Sequence, residues 1–284
     1  MKKQIKIVSL LLIMLFSLTS CSIFESTTNN NVTNKVVEVE DFTINDFEDA
    51  LQIAIEKAEA SVISITHAEG SMFGSSRALG SAVVVKTQGK DSSGVDSTDN
   101  VAYYEYLAVT NRHVVVTSSN RITKNLLVYL GNDNKLISAS VLDYSKKDDL
   151  ALISFKSEIY IPAASFADTT NLKRGSFVVA IGTPYDIVFD GSATFGIISH
   201  PLRYVEEEVF VLGSTSYETC EVAYIQHDAA INSGNSGGGL FNMEGKLLGI
   251  NTMKIISSSS NVIEGMGFSV PIYVVEEVFK EYLK

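Results

Sequence analysis

Histidine and cysteine are scarce in this chain, and tryptophan is absent. The 284 residues include four histidines and two cysteines, Cys21 and Cys220. Structural and catalytic metal centres are commonly built from these two residue types at short spacings, and neither type shows such spacing here. We therefore expect no metal. No lysine of a phosphate-binding loop follows the glycine-rich stretch of the chain, so we expect no cofactor of any kind.

Basic residues are outnumbered, with 22 lysines and arginines against 33 aspartates and glutamates. Nucleic-acid binding requires a basic face that can neutralise phosphates, so we expect no nucleic-acid partner. The composition is 45% apolar and 19% charged, which is typical of a globular protein with an ample core. A chain of this length forms one or two domains.

The first 20 residues have the pattern of a signal peptide. Lys2, Lys3 and Lys6 form a basic start, and the apolar run over residues 7–16 is too short to span a bilayer. Residues 18–21, with small side chains before Cys21, resemble the lipobox of bacterial lipoproteins. That resemblance implies cleavage before Cys21 and a lipid on its thiol. We expect an extracytoplasmic protein anchored to a bacterial membrane; the alternative is an ordinary signal peptide with an incidental cysteine.

Residues 21–40 are rich in serine, threonine and asparagine and indicate a flexible tether. The folded domain is predicted over residues 41–284. It begins with a helix, for which Asn45 and Glu48 form a capping-box-like start. It ends with a helix over residues 271–284 that Pro271 opens.

Short β-rich segments separated by turns fill the region between these helices. Many short strands with few helices are typical of all-β barrels or sandwiches. The strands fall into two sets, which we interpret as a first barrel over about residues 60–158 and a second over about 159–270. The predicted strands are 62–66, 81–85, 103–110, 126–130, 136–142, 150–155, 177–181, 193–199, 209–212, 222–226, 247–251 and 267–270.

The stretch over residues 232–240, NSGNSGGGL, places Ser236 among glycines. Glycine permits backbone angles closed to other residues, so such a loop can present a hydroxyl next to converging N–H groups, as a nucleophile beside an oxyanion hole. A turn between two strands is the alternative. The G-x-S-x-G elbow of α/β-hydrolases also fits, but that fold needs a histidine after the serine. None follows Ser236, which excludes it.

His113 follows an apolar strand at its turn, a usual place for catalytic groups. The acid that orients it should lie between His113 and Ser236. Asp149, at the start of an apolar run, is our first candidate, and Asp148 is the second, since only one of two neighbouring residues can point inward. We expect the other three histidines to be ordinary loop residues. They are His67, His200 and His227.

These motifs resemble those of the HtrA/Deg serine proteases in three places, in the same order along the chain. The resemblance implies two antiparallel six-stranded barrels of the chymotrypsin type with the active site between them. Proline is usual in that family at positions 233 and 239, which hold Ser233 and Gly239 here. We expect no PDZ domain after the protease domain. The matching segments are 110–115, 149–152 and 228–238, with further matches at 171–172, Gly175, 179–184, 196–199, 249–252 and 265–271.

The resemblance also implies the site residues. Ser236 is the nucleophile, His113 the general base and Asp149 the residue that orients it. Gly234, Asn235 and Ser236 form the oxyanion hole. Ala230 lies at the base of the primary substrate pocket. The other pocket residues are Ile231, Asn251, Thr252, Met253, Gly267 and Phe268.

The function that the resemblance implies is an ATP-independent serine endopeptidase acting on misfolded or surface proteins, through an acyl-enzyme. Polypeptides are then its substrates, the membrane is a partner through Cys21, and a homo-oligomer, a trimer in this family, is expected. Two alternatives stay open. One is a chaperone-like or binding protein on a protease fold, and the other is a protease resembling the glutamyl endopeptidases.

Overall fold

The computed structural model describes residues 43–71, 74–131, 136–210, 217–252 and 265–284. The chain divides into two units, Met1–Phe42 and Thr43–Lys284. The predictions for the signal peptide, Cys21 and the tether lie outside the described residues. The described residues all belong to the second unit. Within it, no described helix combines the length and the apolar character that crossing a membrane would need.

Helix α1 (Ile44–Glu59) begins at a capping box two residues earlier than predicted. The N-cap is Thr43, whose hydroxyl accepts the Asp46 N–H at 3.3 Å, while the Asp46 carboxylate accepts the Thr43 N–H at 2.7 Å. The prediction of Asn45 and Glu48 was wrong because Asn45 already lies in the first turn. Phe47 of this helix packs edge-on against Phe177 and Phe195, which belong to the second barrel.

The first barrel is closed and antiparallel, in the order β1-β2-β3-β6-β5-β4. Its apolar residues alternate along each strand, so that Val84, Ala108 and Ile153 fill the barrel while their neighbours Val83, Val109 and Leu152 face outward. The strands are β1 Val62–Ser71, β2 Gly74–Lys90, β3 Tyr103–Asn111, β4 Leu126–Tyr129, β5 Leu136–Ser145 and β6 Leu150–Ser157.

The second barrel is also closed, in the order β10-β11-β12-β9-β8-β7, which confirms the predicted class of two six-stranded antiparallel barrels. Two details differ from the prediction. Residues 209 and 210 continue β8 instead of starting a strand of their own, and β10, directly after the serine loop, was not predicted. The strands are β7 Phe177–Gly182, β8 Ser192–Phe210, β9 Tyr217–His227, β10 Gly239–Asn242, β11 Leu247–Thr252 and β12 Gly267–Pro271.

A buried apolar layer joins the two barrels. Val83, Val109 and Leu152 of the first barrel belong to the same core cluster as Val179 and Val270 of the second. The final helices, α2 (Ile272–Val278) and α3 (Lys280–Leu283), complete this layer, and Pro271 is the N-cap of α2. From the first barrel, the Lys86 Nζ donates to the carbonyl oxygens of Tyr282 and Lys284, each at 3.0 Å.

Candidate active site

His113 lies in a 3-10 helix, Arg112–Val115, that follows β3 directly. The next two residues, Val114 and Val115, are buried and anchor this turn in the first barrel. Arg112 fixes it from outside: its Nη1 donates to the Asn120 Oδ1 at 3.0 Å, and its guanidinium lies 5.3 Å from the centre of the Tyr144 ring. The imidazole itself stays 37% exposed, so it is accessible to a substrate.

Asp149 places both carboxylate oxygens on His113. Its Oδ1 accepts the His113 backbone N–H at 3.0 Å, and its Oδ2 lies 2.6 Å from the His113 Nδ1. The residue is 3% exposed and has a left-handed φ of 53°, a conformation that aspartate adopts more readily than most residues. This φ turns the carboxylate back toward β3. An Nδ1–H held by a buried carboxylate leaves the Nε2 as the proton acceptor.

Asp148, the second candidate, is directed elsewhere. Its carboxylate accepts the Ser145 hydroxyl at 2.7 Å, and its N–H donates to the same hydroxyl at 3.1 Å. The structure thus brings Asp149, and not Asp148, to the histidine.

Two consecutive turns hold Ser236. The Asn235 N–H donates to the Asn232 carbonyl at 2.9 Å, and Gly234 in this turn has a φ of 100°, as in a type II turn. The Gly238 N–H then donates to the Asn235 carbonyl at 3.0 Å. A Cβ atom on Gly234 would collide with the Thr183 carbonyl oxygen, so only glycine fits there.

The peptide planes of these turns leave two N–H groups free. In a trans peptide the C=O and the N–H point in opposite directions. The Ser233 carbonyl accepts the Tyr185 N–H at 2.7 Å, which turns the Gly234 N–H away from Tyr185. The Asn235 carbonyl is likewise held by Gly238, which frees the N–H of Ser236. Within the described ranges, neither of these two N–H groups donates a hydrogen bond, so both are available to a bound oxyanion.

Asn235, also predicted for the oxyanion hole, has another place. Its N–H closes the turn on Asn232, and its side chain is buried against Gly182 at the end of β7. Its backbone therefore shapes the turn instead of donating to a bound carbonyl.

Both barrels hold the peptide of Ser236. The Ser81 N–H, on β2, donates to the Ser236 carbonyl at 2.9 Å, and the Gly237 N–H donates to the Asn251 carbonyl on β11 at 2.9 Å. The Thr110 hydroxyl in turn donates to the Ser81 carbonyl at 2.6 Å. Thr110 precedes His113 by three residues, so a chain of hydrogen bonds connects the segments that carry the histidine and the serine.

The residues predicted for the substrate pocket differ in what their side chains contact. Ala230 is exposed and Ile231 is partly buried. The Asn251 amide is engaged inside the second barrel, where Nδ2 donates to the Gly239 carbonyl at 2.9 Å and Oδ1 accepts the Ser269 hydroxyl at 2.8 Å. Phe268 packs edge-on against Tyr224 in the layer between the barrels. Thr252 is buried, Gly267 backs onto the His227 ring, and Met253 lies outside the described residues.

The three histidines predicted for loops lie in strands instead. His67 is buried in β1, His200 is partly buried in β8, and His227 is the fully buried last residue of β9. The loop prediction was wrong because all three strands extend past the β-branched segments that indicated them. The His227 Nε2 lies 3.1 Å from the Ser269 hydroxyl, which makes this histidine part of the barrel interior.

Burial of His227 predicts a loss of stability in acid. Burial lowers the pKa of His227 from 6.5 to about 4. Because the pKa of His227 is lower in the folded than in the unfolded protein, protonation of this histidine favours the unfolded state. The contribution of neutral His227 to the free energy of unfolding is therefore fully present above pH 6.5 and is lost as the pH falls toward 4. Its size is on the order of 3 kcal/mol. We expect the free energy of unfolding, measured with urea at pH 7 and pH 4.5, to fall less in His227→Asn than in the wild type.

The control for this measurement is His200→Asn, which removes a histidine of the same barrel from a less buried place. Because His227 is still present in this variant, its pH-dependent contribution to stability should remain. An equal loss in wild type and His227→Asn would contradict the role given to His227.

Sequence reasoning missed the groups that support the turn, namely Ser81, Thr110, Thr183 and Tyr185. The signal for Ser81 was present, since a serine begins an otherwise apolar strand segment at residues 81–85. The signal for Tyr185 was not, because it contributes a backbone N–H and a positive φ of 66°. No group of three or more histidine, cysteine, aspartate or glutamate side chains that could hold a metal occurs in the part of the chain that the structure describes.

Comparison with known proteins identifies relatives of this arrangement. The profile of the trypsin-like peptidase domain matches residues 80–250. The chain is 33% identical over 267 residues to the serine protease Do-like HtrA of Lactococcus lactis subsp. cremoris, covering 88% of this chain and 62% of the relative. It is 30% identical over 253 residues to the serine protease Do-like HtrB of Bacillus subtilis, covering 88% of this chain and 51% of the relative.

A third relative is the probable periplasmic serine endoprotease DegP-like of Buchnera aphidicola, at 36% identity over 192 residues, which are 68% of this chain and 35% of that protein. The chain thus spans between about a third and three fifths of the length of the relatives named here. The profile match, however, includes His113, Asp149 and Ser236, and it extends over more than half of the chain. On these grounds the chain belongs to the family of trypsin-like peptidases, with homologues among the HtrA and DegP serine proteases.

Proposed function

We propose that this protein is a serine endopeptidase that hydrolyses peptide bonds of misfolded or surface proteins without ATP. The observation that carries the proposal is the placement of both Asp149 oxygens on the backbone N–H and the Nδ1 of His113. A buried acid in this position holds the imidazole in one tautomer and one orientation. The two free N–H groups of the Ser236 turn add hydrogen-bond donors that can stabilise a negatively charged oxygen.

In the proposed mechanism, the Ser236 Oγ attacks the carbonyl carbon of the scissile peptide bond while the His113 Nε2 takes the hydroxyl proton. The carbonyl oxygen becomes an oxyanion that accepts the N–H groups of Gly234 and Ser236. His113 then gives the proton to the amine, which leaves. Water attacks the resulting acyl-enzyme in the same way and releases the acid, and Asp149 stabilises the imidazolium in both steps.

Labelling with a fluorophosphonate tests this proposal, because that reagent needs an activated serine nucleophile. The full chain, purified in detergent, should become labelled and should degrade casein at a rate that added ATP does not change. The matched control is Ser233→Ala, which removes an exposed hydroxyl from the same turn and should leave labelling intact. Absence of both labelling and casein cleavage would favour the chaperone-like alternative, which requires only binding of unfolded casein.

The primary pocket is proposed to be uncharged, with Ala230 at its base. A lysine, arginine or glutamate side chain entering such a pocket would lose its hydration without gaining a partner. We expect casein to be cleaved after valine, alanine, isoleucine, leucine or methionine, with a broad profile, since apolar pockets discriminate by only about 1–3 kcal/mol per methylene. Mass spectrometry of the fragments identifies the cleaved bonds. A dominant preference for lysine and arginine would refute the assignment, and one for glutamate would favour the glutamyl-endopeptidase alternative.

We further propose that the protein acts outside the cytoplasm, anchored by a lipid on Cys21. The resemblance of residues 18–21 to a lipobox supports this, and a diacylglyceryl group provides the two chains that stable anchoring needs. The wild-type protein should partition into the detergent phase and Cys21→Ser into the aqueous phase. Cys220→Ser serves as the control for loss of a cysteine. Aqueous partitioning of the wild type would exclude the anchor.

A homo-oligomer, in particular a trimer, belongs to the same proposal. The aromatic group of Phe47, Phe177 and Phe195 supports it, since Phe177 and Phe195 are both exposed while packing on each other at 5.3 Å. Aromatic side chains in an exposed cluster are typical of protein interfaces.

A further inference from the structure

Ser81 contacts the nucleophile turn through both its hydroxyl and its backbone N–H. It belongs to β2 of the first barrel and is 0% exposed. Its hydroxyl accepts the Thr183 N–H at 2.9 Å and donates to the Gly234 carbonyl at 2.9 Å. Its own N–H donates to the Ser236 carbonyl at 2.9 Å. One side chain thus connects the turn, the end of β7 and the first barrel.

The Gly234 carbonyl is a sensitive point of the turn. Gly234 has a φ of 100°, and glycine passes between positive and negative φ more easily than other residues. A change of that φ would rotate the peptide plane that carries the Gly234 N–H. Two hydrogen bonds oppose the rotation. The Tyr185 N–H donates to the Ser233 carbonyl, which lies in the same peptide plane as the Gly234 N–H. The Ser81 hydroxyl donates to the Gly234 carbonyl, which lies in the next peptide plane.

We propose that Ser81 is a positioning residue for the oxyanion hole, through which the first barrel fixes the direction of the Gly234 N–H. This inference rests on the proposed serine-protease function. Ser81 acts through the turn, since its hydroxyl is already shared between Thr183 and Gly234. The donors for the oxyanion therefore depend on contact between the barrels, and the loop after β7 contributes through the Thr183 and Tyr185 N–H groups.

Removal of the Ser81 hydroxyl has a defined cost. Ser81→Ala leaves the Gly234 carbonyl and the Thr183 N–H buried without their partner, while the backbone bond to Ser236 remains. Loss of one oxyanion donor lowers kcat by about 10²–10³-fold in serine proteases. Because the Gly234 N–H is disordered by this change and not deleted, we expect a decrease in kcat of about 10–100-fold.

The test compares Ser81→Ala with Ser61→Ala in the full chain. Ser61 is a buried serine of the same barrel whose hydroxyl donates to the Ala58 carbonyl at 2.9 Å, in the turn before β1. We expect Ser81→Ala to lower kcat on a peptide substrate while KM changes less than about threefold, and to weaken binding of a peptide boronate in parallel with kcat. Ser61→Ala should leave kcat and boronate affinity unchanged even where it lowers the melting temperature.

Each outcome decides between specific claims. A wild-type protein that neither reacts with fluorophosphonate nor cleaves casein would refute the proposed function. An active wild type with an equally active, folded Ser81→Ala would refute the role of Ser81, as would equal losses of kcat in both variants. Should Ser81→Ala fail to fold, Ser81→Cys is measured instead, since the thiol keeps a similar size and is a weaker donor; wild-type kcat and boronate affinity in that variant would overturn the inference.

Discussion

Replacement of Ser236 by alanine is expected to lower kcat by about 10⁶-fold, the size of effect that removal of the nucleophile has in a working triad. The hydroxyl supplies the attacking oxygen, and no other group in the turn can replace it. Ser233, the other serine of this turn, is exposed. The measurement is initial-rate hydrolysis of a fluorescent peptide by purified wild type and variant, with circular dichroism to show that both are folded.

The remaining activity of Ser236→Ala should resemble hydrolysis assisted only by the bound N–H groups, about 10³–10⁴-fold above water. The structure provides the control Ser233→Ala, for which we expect a change of less than about threefold, because Ser233 contributes only its carbonyl to the bond with Tyr185. Wild-type turnover in Ser236→Ala would exclude the proposed mechanism, whatever the behaviour of the control.

Asp149→Asn should lower kcat by about 10⁴-fold, as the same change does in other enzymes with this triad. Asparagine presents an NH₂ group in place of one carboxylate oxygen. The His113 backbone N–H and Nδ1 would then compete for a single acceptor, and the imidazole would be driven to the tautomer that cannot accept the serine proton. Asparagine tolerates a φ of 53° about as well as aspartate, so the fold should survive, which a melting curve would check.

Asp148→Asn is the matched control for this prediction. It makes the same chemical change one residue away, where the carboxylate contacts only the Ser145 hydroxyl among the described hydrogen bonds. We expect kcat to remain within about threefold of the wild type. The reverse order of effects, with Asp148→Asn the more damaging, would move the catalytic acid by one residue and contradict the geometry.

The strands of this protein show how far its sequence predicts its fold. Most segments rich in β-branched residues lie in strands, and the two-barrel class is confirmed. The errors have physical reasons. β10 (Gly239–Asn242) was missed because its first residue belongs to a glycine run, and pairing with β7 and β11 makes it a strand. Residues 209 and 210 continue β8 because the pairing with β9 carries the strand through Glu206–Glu208.

The candidate site was predictable for a different reason. Catalytic side chains stand out by residue type, so the scarce histidines and Ser236 in its glycine-rich stretch indicated which two segments to compare. The supporting contacts did not stand out. Tyr185 acts through its backbone, and Asp149 reaches His113 because of a left-handed φ that its sequence neighbours do not dictate. Such contacts depend on how the two barrels pack against each other, and the sequence pattern of a single strand does not reveal that packing.

The two ends of the second unit, helix α1 and the last residues of the chain, each contact the barrel that lies farther along the chain from them. Helix α1 precedes the first barrel but packs its Phe47 on the second, and the last residues follow the second barrel but are held by Lys86 of the first. The second barrel is therefore contacted by the helix that precedes the first barrel, and the first barrel is contacted by the residues that follow the second. Cleavage of the connection between β6 and β7 would leave two fragments that remain bound to each other. Under mechanical force or heat, the two barrels should unfold in one cooperative transition, because neither barrel can unfold without losing the contacts made by the terminal segment of the other.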